Sequence, residues 1–221
     1  ATSSVAGFKK TDVGYESIRV GKLPKETLSE FLRGTPAQFP VINGQITFGQ
    51  GETRQTGNSH DVTIEGEGFF EMETPNGDML YSRDGQFHIN AEGVLVNSRG
   101  NIVQGENGRM QVIPSLGDFT VNKNGGVYQG NTLTGRIRIM NFDDPQKLHR
   151  VEGGFMAGGQ DPSQVEEPKI LQGFLENSNV NPLREMVNMI SLSRIHEANS
   201  KMIQEYDKIF GKAVQILGQT G

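Results

Sequence analysis

A mainly β chain closed by one long α-helix is the fold class this sequence predicts. Three observations predict it. Turn-type glycines recur at Gly77, Gly85, Gly93, Gly100, Gly108, Gly117 and Gly125, with gaps of 8, 8, 7, 8, 9 and 8 residues. Residues 182–217 contain no proline after Pro182 and repeat apolar positions at steps of three and four. No other stretch of the 221 residues carries a helical pattern of comparable length.

Residues 1–60 read as an irregular segment with short β elements, broken by Gly7, Gly14, Gly21 and Gly34. Within it, 24–34 has Pro24 near its start, Leu28, Phe31 and Leu32 on one side and Gly34 at its end, which predicts a short helix. Asn43-Gly44 predicts a hairpin turn between 39–42 and 45–48.

Residues 61–150 read as a β-rich middle domain. Short strands are expected at 87–89, 94–96, 102–103, 110–113 and 119–121, separated by Asn76-Gly77, Asp84-Gly85, Glu92-Gly93 and Asn107-Gly108. Glycine takes positive φ without a Cβ clash, so these dipeptides suit turns. Regular punctuation of short strands predicts a barrel or sandwich of antiparallel hairpins. A β-solenoid is the weaker alternative, because its repeats would be more alike. Residues 151–180 read as a loop-like connector, with Gly153-Gly154, Gly158-Gly159, Asp161-Pro162 and Glu166-Glu167-Pro168.

Residues 181–221 read as the C-terminal helix. Asn181 is a suitable N-cap and Pro182 suits the first helical position. About 36 residues at 1.5 Å each give a rod of roughly 54 Å. Leu192, Ile195, Asn199, Met202, Tyr206, Ile209, Ala213 and Ile216 form a heptad stripe with one polar insertion at Asn199. Glu197 stands four residues before Lys201, a favourable surface pair, and Gly211 weakens the last turns. An isolated helix is marginal in water, so the stripe needs cover. With no second long helix in the sequence, the cover is expected from another molecule or from a segment not included here. The alternative is packing across the β domain, although a sheet a few strands wide covers such a length poorly.

Composition excludes several function classes. The net charge is -5 with 21% charged residues, unlike a basic nucleic-acid module. Apolar runs stay far below the ~20 residues of a membrane span. No basic stretch followed by an apolar one marks a secretory signal. Cysteine is absent, which removes disulfides and thiolate zinc sites. His60, His88, His149 and His196 never stand three or four apart, so metal-ligand spacing is missing. Glu65, Glu67, Glu71 and Glu73 are expected on one face of a strand. Paired carboxylates could serve glycoside hydrolysis, but a solvated strand face accounts for them. Asp143-Asp144 reads as a turn or cap. Arg83-Asp84-Gly85 looks like a cell-adhesion tripeptide and sits where a hairpin turn is expected. Gly66-Glu67-Gly68 lacks the third glycine of a dinucleotide loop, and no nucleophile elbow is present. No catalytic residue, cofactor site or metal site is expected.

Several runs resemble the bacterial flagellar rod and hook family. Thr56-Gly57-Asn58 through Asp61, Ile64, Gly66 and Gly68-Phe69-Phe70 resemble its TGN..D.AI.G.GFF run. Tyr81-Ser82-Arg83-Asp84-Gly85-Gln86-Phe87 resembles its YTRDG.F, and Gly93-Val94-Leu95-Val96 with Gly100 to Gly105 resembles G.LV...G..V.G. Gly7-Phe8-Lys9 resembles T.GFK, Leu175 to Val180 resembles LE.SNV, and Glu185 to Ile190 resembles EMV.MI. Arg194 to Lys201 resembles R.YEAN.K, with His196 where tyrosine is usual.

The resemblance implies a basal-body rod protein of the proximal or distal type, the short middle favouring rod over hook. It implies a structural subunit of a torque-transmitting shaft whose terminal helices pair as a coiled coil. It further implies self-association, contact with other axial proteins, a place in the periplasmic axial structure, and passage through the flagellar export apparatus without a cleaved signal. The family's N-terminal helix would precede Gly7, so the chain is expected to be truncated there. Two other classes stand beside this reading. A carbohydrate- or wall-binding β module would need exposed aromatics, yet tryptophan is absent and tyrosines number four. A wall hydrolase would need the Glu65–Glu73 face or Asp143.

Overall fold

Side chains alternate along a strand, so the adjacent Phe69 and Phe70 of strand Phe69–Glu73 leave on opposite faces. Phe70 and Met72 enter one buried cluster with Val62, Ile64, Leu80, Leu95, Val103 and Ile139. Phe69 enters a second with Tyr81, Met140, Phe142, Leu148 and Phe155. The second is rich in ring contacts, including Tyr81 on Phe142 at 4.8 Å and Phe69 on Phe155 at 5.8 Å, both edge-to-face. The central sheet is therefore covered on both faces. The architecture is sandwich-like, and the sheet does not close into a barrel.

The computed structural model describes residues 5–19 and 38–218, with only the backbone path given for 12–19, 38–44, 206, 207 and 210–218. The chain falls into two units, residues 1–180 and 181–221. In the first, the central sheet runs in the order His149–Val151, Gly154–Met156, Met79–Ser82, Phe69–Glu73, Ile102–Gly105, Leu95–Asn97 and Phe87–Ile89. Ile139–Asn141 also pairs with Phe69–Glu73 and with Ser163–Gln164. A three-stranded sheet is built from Thr120–Val121, Gly126–Gln129 and Thr132–Arg136. Three two-stranded pairings join Lys10–Arg19 to Gln38–Thr47, Val62–Ile64 to Ile170–Gln172, and Thr53–Gln55 to Phe174–Glu176. Each of these pairings is antiparallel. The second unit is the helix Pro182–Gly218. The chain is thus mainly β with one long C-terminal helix.

Four local expectations need correction. Asn43-Gly44 is not a turn. Gln38–Thr47 is one strand, with Asn43 opposite Gly14 and Gly44 opposite Val13. A ten-residue ladder to Lys10–Arg19 overrides the local turn preference of the dipeptide. Residues 151–180 are not simply loop, since they carry part of His149–Val151 and four further strands. Residues 110–113 form no strand and keep only a single bridge, Gln111 to Val94. Pro114 follows directly and starts a 3-10 turn. The glutamate run is also not one strand face. Gly66 and Gly68, at φ 102° and 110°, end the extended path between Glu65 and Phe69. The expected helix at 24–34 lies outside the described residues.

Candidate functional site: a terminal helix and a buried ionic junction

Glu176 is the last residue of strand Phe174–Glu176 and is 1% exposed. A buried carboxylate must be paired and hydrogen-bonded. Its Oε1 accepts from Lys9 Nζ at 2.5 Å and from the Gly51 amide at 3.0 Å. Its Oε2 accepts from Arg83 Nη1 at 3.1 Å. Both cations are buried as well. Lys9 Nζ also donates to the Gly49 carbonyl at 3.0 Å, and Arg83 donates to the Ile64 and Gly66 carbonyls at 3.3 and 2.6 Å. Burial holds the Lys9 ammonium below the usual lysine range, against the pull of the Glu176 carboxylate. Burial lowers Arg83 in the same sense.

The backbone around this cluster is tied as tightly. The Gly7 amide donates to the Glu176 carbonyl at 2.8 Å, and the Asn179 amide donates to the Phe8 carbonyl at 3.3 Å. Asn179 Oδ1 accepts from the Lys10 amide at 2.6 Å, while its Nδ2 donates to the Thr47 and Gly49 carbonyls at 2.7 and 3.0 Å. Arg150 donates to the Lys9 carbonyl and lies over the Phe8 ring. Gly7, at φ 65°, cannot carry a side chain, because a Cβ would sit 2.4 Å from the Arg83 carbonyl carbon. The segment that leads directly into the helix is therefore locked to residues 7–10 and to the Lys10/Thr47 end of the Lys10–Arg19/Gln38–Thr47 ladder.

The Arg83-Asp84-Gly85 run is part of this buried network and is not a solvent-exposed hairpin turn. Asp84 Oδ2 accepts from Ser98 Oγ and its Oδ1 from the Gln86 amide. Burial pushes the Asp84 carboxyl above its ordinary value. A Cβ on Gly85 would lie 1.7 Å from the Val62 carbonyl oxygen. Of the four glutamates, Glu65 and Glu67 are exposed at the glycine bend. Glu71 is buried with Arg138 at 2.8 Å and Tyr81 at 3.4 Å, and Glu73 pairs with Arg109 at 2.7 Å. Glu71 and Glu73 are held in separate structural ion pairs, and the four do not form a convergent acid pair. Asp144 caps the 3-10 turn Pro145–Lys147, accepting from the Gln146 amide. His60 stacks on Phe119 at 5.2 Å between ring centres.

The helix, described by itself, starts as its sequence requires. Asn181 Oδ1 accepts from the Arg184 amide at 3.2 Å, Pro182 opens the helix and Glu185 lies in the first turn. Glu197 and Lys201 pair at 2.8 Å, Glu205 and Lys208 at 2.7 Å. Of the stripe, Leu192, Ile195, Met202 and Ile209 are 45, 57, 58 and 63% exposed, and Asn199 is exposed between them. Tyr206, Ala213 and Ile216 follow in the same helical register, their side chains lying outside the described residues. No described helix is long and apolar enough to cross a membrane.

Comparison with known proteins decides the family. The family model "Flagellar hook protein FlgE/F/G D1 domain" matches residues 63–129, and "Flagellar basal body rod FlgEFG protein C-terminal" matches 171–216. The flagellar basal-body rod protein FlgF of Caulobacter vibrioides is 32% identical over 99% of this chain and 89% of its own length. The chain belongs to the flagellar basal-body rod proteins. FlgG of Buchnera aphidicola subsp. Schizaphis graminum is 30% identical over 98% of the chain and 90% of its own. FlgG of Borreliella burgdorferi is 33% identical over 95% and 87%. The rod protein is a structural subunit of the basal body, without catalytic function.

The ionic junction escaped the sequence reading, yet its members stand inside the runs that carried the family resemblance. Lys9 is the lysine of the GFK-like run, Arg83 the arginine of the RDG-like run, and Glu176 and Asn179 the acid and amide of the LE.SNV-like run. The usable signal was a charge next to a residue that is buried or half-buried: Phe8-Lys9, Ser82-Arg83 and Leu175-Glu176.

Proposed function

We propose that the stripe Leu192, Ile195, Asn199, Met202, Tyr206, Ile209, Ala213 and Ile216 is the seam along which copies of this rod protein pack lengthwise, giving a homo-oligomeric section of the torque-transmitting shaft. The observation that carries this is the exposure of Leu192, Ile195, Met202 and Ile209 on a 37-residue helix in a chain of this family. Burying roughly 1,000 Å² of apolar area along such a helix gains about 25 kcal/mol before ordering costs. Those costs are large, so net affinity is far smaller. Continuous lengthwise burial resists shear, which a rotating shaft requires. Asn199 fixes the register of the seam, as a single polar residue does in a coiled coil. The proposal includes delivery by the flagellar export apparatus without a cleaved signal and a periplasmic position of the assembled protein.

Motility and basal-body assembly of cells carrying Ile195→Asp or Ile209→Asp test the seam. The expected result is loss of assembly, with the thermal transition of the β unit unchanged. Full motility in either variant overturns it. Asn199→Leu is expected to assemble with heterogeneous register, read as lost order in images of the rod.

A further inference from the structure

Residues 5–9, residues 82–84 and the strand pair His149–Val151 and Gly154–Met156 line a cavity of about 330 Å³ in the β unit. That volume lies at the lower end of small-molecule sites and holds about ten waters at ~30 Å³ each. Its wall is amphiphilic. Val5, Phe8, Val151 and Phe155 supply apolar surface, and Arg83, Arg99 and Arg150 bring three guanidinium groups to it. Arg150 is the one without a counter-charge. Its Cζ lies 4.6 Å from the centre of the Phe8 ring and 5.2 Å from that of Phe155, and it donates to the Lys9 carbonyl. A guanidinium stacked on rings keeps its N–H edge free for a two-oxygen acceptor. Burial lowers it from the usual arginine value, and no acid among the described residues offsets that.

Arg83 is more deeply buried, and its Nε has no acceptor among the described residues. The Arg99 stem lies against Gly153, where a Cβ would meet its Cδ at 2.8 Å. Its partner Glu152 is 92% exposed, so that pair is weak and exchangeable. The nearby acids do not meet the need. Asp84 engages the Gln86 amide and the Ser98 hydroxyl, and Glu176 is shared by Lys9 and Arg83. A guanidinium stripped of water and left unpaired calls for an oxyanion. Rings and valines beside it favour a carboxylate on a short hydrocarbon stem over a hydrated phosphate. We infer that this cavity binds a small carboxylate, with Arg150 taking its two oxygens, Arg99 closing over it, and Phe8, Val151 and Phe155 covering the stem. A free dicarboxylic acid and a glutamate side chain of another polypeptide carry this same chemistry. The site is independent of the helical stripe.

Calorimetric titration of the full chain at constant ionic strength tests this. The probes are succinate and a capped tripeptide with glutamate at its centre; the controls are inorganic phosphate and the glutamine counterpart of the tripeptide. Saturable binding of at least one carboxylate probe is expected. Arg150→Met keeps an apolar chain against the two rings and is expected to weaken binding by about tenfold or more, the loss of a charge-assisted bond. Arg99→Gln is expected to weaken it by several fold. Lys123→Gln, which alters a different cavity, is expected to leave it unchanged. Binding of succinate alone assigns the carboxylate to a free acid, and binding of the glutamate tripeptide alone assigns it to a polypeptide. Three results overturn the inference: no saturable binding of either carboxylate probe, phosphate or the glutamine tripeptide binding as tightly as the carboxylates, or unchanged affinity in Arg150→Met. Should Arg150→Met fail to fold by circular dichroism, Arg99→Gln decides, and unchanged affinity there overturns the inference.

Discussion

Glu176→Gln removes one charge and almost no volume from the ionic junction. Gln keeps an oxygen for the Gly51 amide, so the packing of strand Phe174–Glu176 is retained. What disappears is the anion shared by Lys9 and Arg83, which are 1 and 5% exposed. Breaking a buried pair leaves uncompensated charge and costs about 3–5 kcal/mol. In a unit of this size each kcal/mol moves the midpoint by roughly 2–4 °C, so a fall of about 10 °C is expected. Urea unfolding followed by tyrosine fluorescence measures it, as a lower midpoint at unchanged slope. Lys9→Met serves as the internal contrast. Burial depresses the Lys9 ammonium more than Glu176 supports it, so exchanging it for an apolar chain also removes a desolvation cost. Arg83 and the Gly51 amide still hold the carboxylate, and the loss is expected below about 1.5 kcal/mol. A Glu176→Gln penalty under about 1 kcal/mol, or a Lys9→Met penalty equal to it, would refute the reasoning.

Burial and the neighbouring Glu71 carboxylate push the Tyr81 phenol up to about 12. The unfolded chain then loses its phenolic proton first, at about 10, so stability falls as pH rises from about 10 to about 12. An absorbance titration is expected to show a late phenolate step that vanishes in Tyr81→Phe; a late step surviving in that variant refutes the assignment. Gly85→Ala would drive a Cβ to 1.7 Å from the Val62 carbonyl and is expected to cost about 3 kcal/mol or more in urea unfolding. Wild-type stability in Gly85→Ala would show that the strands can move apart there. Asn181→Ala should weaken the helix start by about 1 kcal/mol. Faster exchange of the Arg184 amide checks this, with recovery in Asn181→Asp.

The fold class was legible because both of its signals are periodic. Glycines at seven- to nine-residue gaps mark short strands, and a three-four alternation marks a helix. The failures share a cause. His149–Val151, Gly154–Met156 and Ser163–Gln164 are short and largely polar or glycine-bearing, and their extended form comes from neighbours across the sheet. Asn43-Gly44 shows local turn chemistry yielding to a ladder. Gly66 and Gly68 look like small strand residues in a period-two pattern, but their positive φ separates Glu65 and Glu67 from Glu71 and Glu73. The helical stripe was readable as a one-dimensional repeat. The ionic junction was not, because its partners lie 167 and 93 residues apart and no local period relates them.

Lys9 meets its counter-charge only at Glu176, and the strands near 54 and 63 take their partners from 170–176. A chain emerging amino end first therefore holds an unmatched ammonium and unmatched strands for most of its length. Such distant closure is slow and comes late. The latch shuts only when the residues immediately ahead of the helix arrive. Hardening of the body and completion of the C-terminal helix are thereby placed in sequence, and a fragment cut short of residue 176 lacks the catch that would finish it.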